Sequence, residues 1–162
     1  MSGEIPISLA TLSTVVESPT LYRVITALRG PDIYGDNLKY LFTCRLRSIL
    51  GRFCIGGTRD SSKVPFELVR DAYAEAFNAK QIGVNVEHYL AHVYDAILAL
   101  QGFEEVTGKT FQELYELRQL AYRFIILLGQ GRPPEKAEKE LKRLYEGLEV
   151  IKCDGGADKE DK

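Results

Sequence analysis

The sequence predicts an all-α fold: one compact bundle of six or seven helices ending in a disordered C-terminal tail. Three observations lead there. Apolar residues recur at i, i+3, i+4 and i+7 along most of the chain. Glycine and proline stops, at Gly30-Pro31, Gly56-Gly57 and Pro133-Pro134, punctuate those periodic segments. The composition, 45% apolar and 27% charged over 162 residues, is that of one soluble domain. A chain of this length buries roughly 70% of its unfolded surface, so it folds without the help of a disulfide or a metal.

Residues 1–17 read as an N-terminal arm. Ile5, Ile7 and Leu9 alternate like a strand there, whereas Leu9, Leu12, Val15 and Val16 have helical spacing, and a short helix from about Ser8 is preferred. The helical domain spans residues 18–153. It opens with Ser18 as a cap and Pro19 at the first helical position, followed by the stripe Leu21, Val24, Ile25 and Leu28. Asp36 or Asn37 caps the next helix, with Leu38, Leu41, Phe42, Leu46, Ile49, Leu50 and Phe53 on one face. Gly51 could end that helix early, and Gly56-Gly57 stops it.

Pro65 introduces a helix with Phe66, Val69, Tyr73, Ala76 and Phe77 inward, and Asn85 caps another over residues 86–101. Thr110 and Glu113 read as a T-x-x-E capping box opening the longest helix, to about Leu128. Pro133-Pro134 starts the last one, where Ala137, Leu141, Leu144, Tyr145, Leu148 and Ile151 repeat every three or four residues. Its opposite face pairs Glu135 with Lys139 and Glu138 with Lys142, as a solvated surface does. Residues 154–162 hold nothing to bury and form the acidic, polar tail.

Several functions are excluded. Apolar runs such as residues 124–128 fall far short of the roughly 20 residues of a membrane span, and the N-terminus lacks the basic cluster of a signal peptide. The expected location is the cytoplasm. Cys44, Cys54 and Cys153 are odd in number and lack C-x-x-C spacing, which argues against a disulfide framework or a structural zinc site. There is no P-loop, no G-x-G-x-x-G, no nucleophile elbow and no H-E-x-x-H. Glu113-x-x-Glu116 is a spacing common on any solvated helix face. No cofactor is expected, and a non-enzymatic role is favoured over an enzymatic one.

The net charge of −2 conceals a basic stretch: residues 21–70 carry nine Lys and Arg against four Asp and Glu. A basic patch on an acidic body can hold one anionic partner. Arg45 falls inside the apolar arc of its helix, Arg52 lies at the rim, and Arg47 points to solvent. Two glycines at 56 and 57 can aim successive N–H groups at one anion, with Arg29, Arg59 and Lys63 close by. Arg118 repeats the pattern among Leu114, Tyr115, Ala121, Tyr122 and Ile125 on the inward face of the longest helix. The competing explanation is structural: Arg45 pairs with Asp32, Asp71 or another internal acid, and the glycines only turn the chain.

His88, His92 and Asp95 share one helix face, opposite Val86, Leu90, Val93, Ile97 and Leu100. Imidazoles at i, i+4 can chelate a transition metal, with Asp95 as third ligand. The blander account is an exposed or packed face.

The favoured function is therefore a binding module for an anionic partner, a phosphate-bearing ligand or nucleic-acid backbone. Its site would comprise Arg29, Arg45, Arg52, Gly56, Gly57, Arg59 and Arg118. The alternative is a metal-dependent hydrolase using His88, His92 and Asp95. A third reading is a protein–protein adaptor, a small accessory protein of the kind viruses also use, that docks its last amphipathic helix or homo-oligomerises.

Overall fold

The computed structural model describes residues 35–55, 64–108 and 110–149, with side chains throughout except at 51–55, 103 and 105–107. Every element among these residues is helical. α1 begins as an α-helix over Asp36–Lys39, widens into a π-helical turn over Tyr40–Cys44, and continues as an α-helix over Arg45–Ile55. α2 spans Phe66–Gln81, α3 Val86–Thr107, α4 Gln112–Gly129 and α5 Pro134–Gly147. The described residues thus hold five helices. The two helices expected before Gly35, the arm 1–17, the Gly56-Gly57 stop and the tail 154–162 all lie outside them.

α3 packs most extensively on α4, the first turn of α1 packs on α2, and α2 also packs on α5. The later part of α1 touches both α3 and α4. One apolar cluster fills the space between them. It takes Leu38, Leu41, Phe42, Leu46, Ile49 and Leu50 from α1, Val69, Tyr73 and Ala76 from α2, and Val86, Leu90, Val93, Ile97 and Leu100 from α3. α4 adds Leu114, Leu117, Ala121, Phe124 and Leu128, and α5 adds Ala137, Leu141 and Tyr145. Each large side chain so buried contributes about 1.5–3 kcal/mol. Phe124 lies at the centre, edge-to-face with Phe42 at 5.5 Å and with Tyr73 at 5.4 Å, and so joins α1, α2 and α4.

The helix ends depart from the sequence expectations in informative ways. Neither Asp36 nor Asn37 caps α1; the cap position is Gly35, and no side chain caps locally. The Glu75 carboxylate on α2 performs that role across the interface, accepting from the Leu38 N–H at 3.0 Å and from Asn37 Nδ2 at 2.8 Å. It also sets a negative charge at the positive end of the helix dipole. Gly35 has φ +103°, and a Cβ there would stand 2.6 Å from Glu75 Cδ, so this approach requires glycine.

Asn85 caps α3 as expected, its side chain accepting from the His88 N–H at 3.2 Å. The helix then passes Gln101 and Gly102 and ends at Gly108, a left-handed C-cap. Gly51 does not stop α1, which runs on to Ile55.

The Thr110–Glu113 capping box does not form. Phe111 takes the cap position without a side-chain cap, packs on the core, and donates its N–H to Glu104 at 3.0 Å. Burying an aromatic ring outweighs the roughly 1 kcal/mol of a serine-type cap. α5 starts at Pro134 as expected but ends at Gly147, and Leu148 continues in extended backbone with its side chain buried. Ile151 lies outside the described residues.

Candidate functional site

Arg45 occupies the place its sequence pattern implied, at 2% exposure in the apolar arc of α1. At that burial it offers no surface to a ligand in solution, and it is engaged by other groups of the protein. The only other buried polar or charged residues among those described are Thr43, Glu113 and Glu116. Thr43 and Tyr89 share a hydrogen bond at 2.7 Å between α1 and α3. Glu116, fully buried, accepts from Gln112 Nε2 at 3.3 Å and from the Glu149 N–H at 2.7 Å. The Glu113-x-x-Glu116 pair is thus in the interior and not on a solvated face. Sequence reasoning missed it because buried and exposed acids share the same spacing, although Leu114 and Leu117 beside them mark the inward side.

Asp71 is committed to Arg70 at 3.0 Å, and Asp32 lies outside the described residues. Arg47 does not point freely to solvent; it is half-buried, and its Nε makes no hydrogen bond among the described residues. Arg29, Gly56, Gly57, Arg59 and Lys63 lie outside the described residues, as does the Arg52 side chain.

Arg118 is not on the inward face of α4. That face is Leu114, Leu117, Ala121, Phe124 and Leu128, all fully buried, whereas Tyr115 and Tyr122 are 43% and 51% exposed. Arg118 is half-buried at the boundary of the two faces. Its Nη1 donates to Gln101 Oε1 on α3 at 3.2 Å, and its guanidinium stands over the Tyr115 ring at 5.7 Å. Tyr94 of α3 and Tyr122 of α4 approach with ring centroids 6.3 Å apart. Tyr94, Arg118, Gln119 and Tyr122 line a surface cavity of about 280 Å³. Arg45 is not part of it, so the two arginines do not share a cleft.

His88, His92 and Asp95 are exposed, opposite the buried Val86, Leu90, Val93, Ile97 and Leu100, as their spacing implied. The two imidazoles meet, with Nε2 atoms 3.1 Å apart and rings nearly perpendicular. Among the described residues no group of three or more His, Cys, Asp or Glu side chains is arranged to hold a metal ion. No described helix is long and apolar enough to cross a membrane. Cys44 is a free, half-buried thiol.

No protein-family model, curated protein sequence or solved structure matches the chain.

Proposed function

We propose that the protein is a non-enzymatic binding module for an anionic partner, and that its contact surface is the α3–α4 cavity around Arg118. One observation carries the reading: a partly exposed guanidinium flanked by three tyrosine rings, Tyr94, Tyr115 and Tyr122. Arginine presents five donors in a planar fork, and Gln101 uses one of them, leaving others for a phosphate or carboxylate. The tyrosines are rigid, flat and amphipathic, suited to stack against a planar group beside the anion. A phosphate attached to an aromatic base, as in a nucleotide or a single-stranded nucleic acid, combines both features.

The reading moves the site from the buried Arg45 to Arg118, within the set of arginines that the sequence singled out. A ligand that binds the folded state alone raises the melting temperature by mass action. Inorganic phosphate, a mononucleotide and a short single-stranded oligonucleotide are titrated against the wild type, Arg118→Ala and Tyr122→Ala. Binding is expected for the base-bearing probes. Arg118→Ala should weaken it by about 1.5–3 kcal/mol and Tyr122→Ala by about 1–3 kcal/mol. Both residues are at least partly exposed, so the variants fold. No shift with any probe, or equal shifts in all three proteins, overturns the proposal. An unshifted monomer that becomes dimeric at higher concentration, and loses dimerisation in Tyr122→Ala, points to the adaptor reading.

A further inference from the structure

We propose that His88 and His92 form a two-imidazole chelate for a borderline transition-metal ion, Zn(II), Ni(II) or Cu(II), on the exposed face of α3. This site is independent of the Arg118 cavity and makes no use of Asp95.

The argument starts from the backbone. Asn85 fixes the first turn of α3 through its bond to the His88 N–H, and Val86, Tyr89, Leu90 and Val93 anchor the same two turns in the core. The two histidines therefore stand one helical turn apart on a part of the helix that packing holds still. Their side chains converge, with the two Nε2 atoms 3.1 Å apart.

That distance has a chemical meaning. Nitrogens each ~2.0–2.1 Å from one ion lie about 2.9 Å apart when they subtend a right angle, and about 3.3 Å apart at the tetrahedral angle. The observed 3.1 Å falls between these, so one ion fits both nitrogens after small ring rotations. Without metal, one Nε2–H donates to the other Nε2, a contact that requires one ring to present a free lone pair. On binding, the donor ring moves its proton through water from Nε2 to its own Nδ1, both rings become Nδ1–H tautomers, and both Nε2 lone pairs face the ion. Imidazole suits these ions, with copper favoured over nickel and nickel over the earlier metals of the divalent series.

Two ligands leave the remaining coordination positions open to water. Such a site is an exchangeable one, distinct from a closed structural zinc centre with four protein ligands. Once the first imidazole binds, the second binds intramolecularly at high effective concentration, and this is the source of the affinity.

The chain has two histidines, so its imidazole region contains two spin systems, which the single variants assign. Zn(II) is titrated into the isotope-labelled full-length protein at pH 7.5 and the imidazole resonances are followed. This readout reports ions at these nitrogens and is blind to ions held by cysteine thiolates. The expected result is that both signals move together and saturate near one equivalent. In His88→Ala and in His92→Ala the surviving imidazole should need about 100-fold more Zn(II) for the same shift. Both positions are exposed, and unchanged helical circular dichroism confirms that the variants fold. Asp95→Asn should leave the titration unaltered. Signals that titrate separately, or a surviving imidazole that saturates at the wild-type zinc concentration, overturn the chelate.

Discussion

Removing the Glu75 carboxylate tests whether α1 is started by its neighbour and not by its own residues. In Glu75→Ala the Leu38 N–H and Asn37 Nδ2 lose acceptors at 3.0 and 2.8 Å. The loss of a helix cap costs about 1 kcal/mol, and the loss of a negative charge at the helix start costs about 0.3–1 kcal/mol more. The Asn37 bond, half-buried, adds about 1 kcal/mol, the usual net contribution of such a hydrogen bond. The expected destabilisation is therefore about 2–3 kcal/mol. With a urea slope of about 1–3 kcal/mol per molar, the unfolding midpoint drops by roughly 1 M.

Glu75→Gln keeps an acceptor oxygen and should lose about half as much. Gly35 supplies the internal control. Its φ of +103° already penalises alanine by about 1–3 kcal/mol, and a Cβ would also collide with Glu75. In the Glu75→Ala background that collision is gone, so Gly35→Ala should cost at least about 1 kcal/mol less than in the wild type. Strict additivity of the two substitutions, or a loss under about 0.5 kcal/mol for Glu75→Ala alone, refutes the reasoning.

Three further outcomes are expected. Arg45→Ala removes a buried charge that other groups engage, and should cost about 3–5 kcal/mol in urea unfolding; a neutral result would show that the site tolerates its loss. Burial holds the Tyr73 phenol up to about 12, and its hydroxyl donates to the Arg132 carbonyl at 2.6 Å. Because the neutral form is the one favoured on folding, its contribution is full below about pH 10 and is lost as the pH rises from 10 towards 12, by up to about 1.4 kcal/mol per unit. Tyr73→Phe should flatten that slope, and identical alkaline profiles for the two proteins would argue against it. Lys80 donates to the Leu128 carbonyl at the end of α4 at 2.7 Å and to Glu87 at 3.3 Å. Lys80→Met should cost about 1–2 kcal/mol, and an unchanged melting curve would contradict this.

The helices themselves were legible in the sequence wherever an apolar stripe met a polar face. The inward residues of α3 and its Asn85 cap came directly from periodicity. What periodicity could not supply was anything set across an interface. Asp36 and Asn37 look like ordinary caps, and only the approach of α2 shows that Glu75 does their work. Glu113 and Glu116 are buried because α4 is covered on that side as well, a fact carried by distant elements and not by local spacing. Arg118 was misplaced inward by a wheel that counted Tyr115 and Tyr122 as core. Tyrosine is amphipathic, and here both rings are wet. The buried position of Arg45 was legible, and its inaccessibility follows from that burial. For His88 and His92 the sequence gives the shared face, and the side-chain torsions give the close approach.

The π-helical turn at Tyr40–Cys44 also explains why Arg47 escaped the wheel. A wheel of about 100° per residue assumes one uniform helix, whereas a π-turn holds an extra residue and delays everything after it. The surplus residue is absorbed on the spot, so Leu38 and Leu41 before it and Leu46 and Ile49 after it all reach the core. α1 is in this sense an ordinary helix with one residue to spare. Deleting a single residue between Tyr40 and Cys44 would let the turn close to α-geometry while both flanks keep their facing. The same deletion in the uniform stretches of α2 or α4 would rotate every later side chain by about 100° out of its place. A segment that already holds one surplus residue is where this bundle can be shortened by one without being refolded.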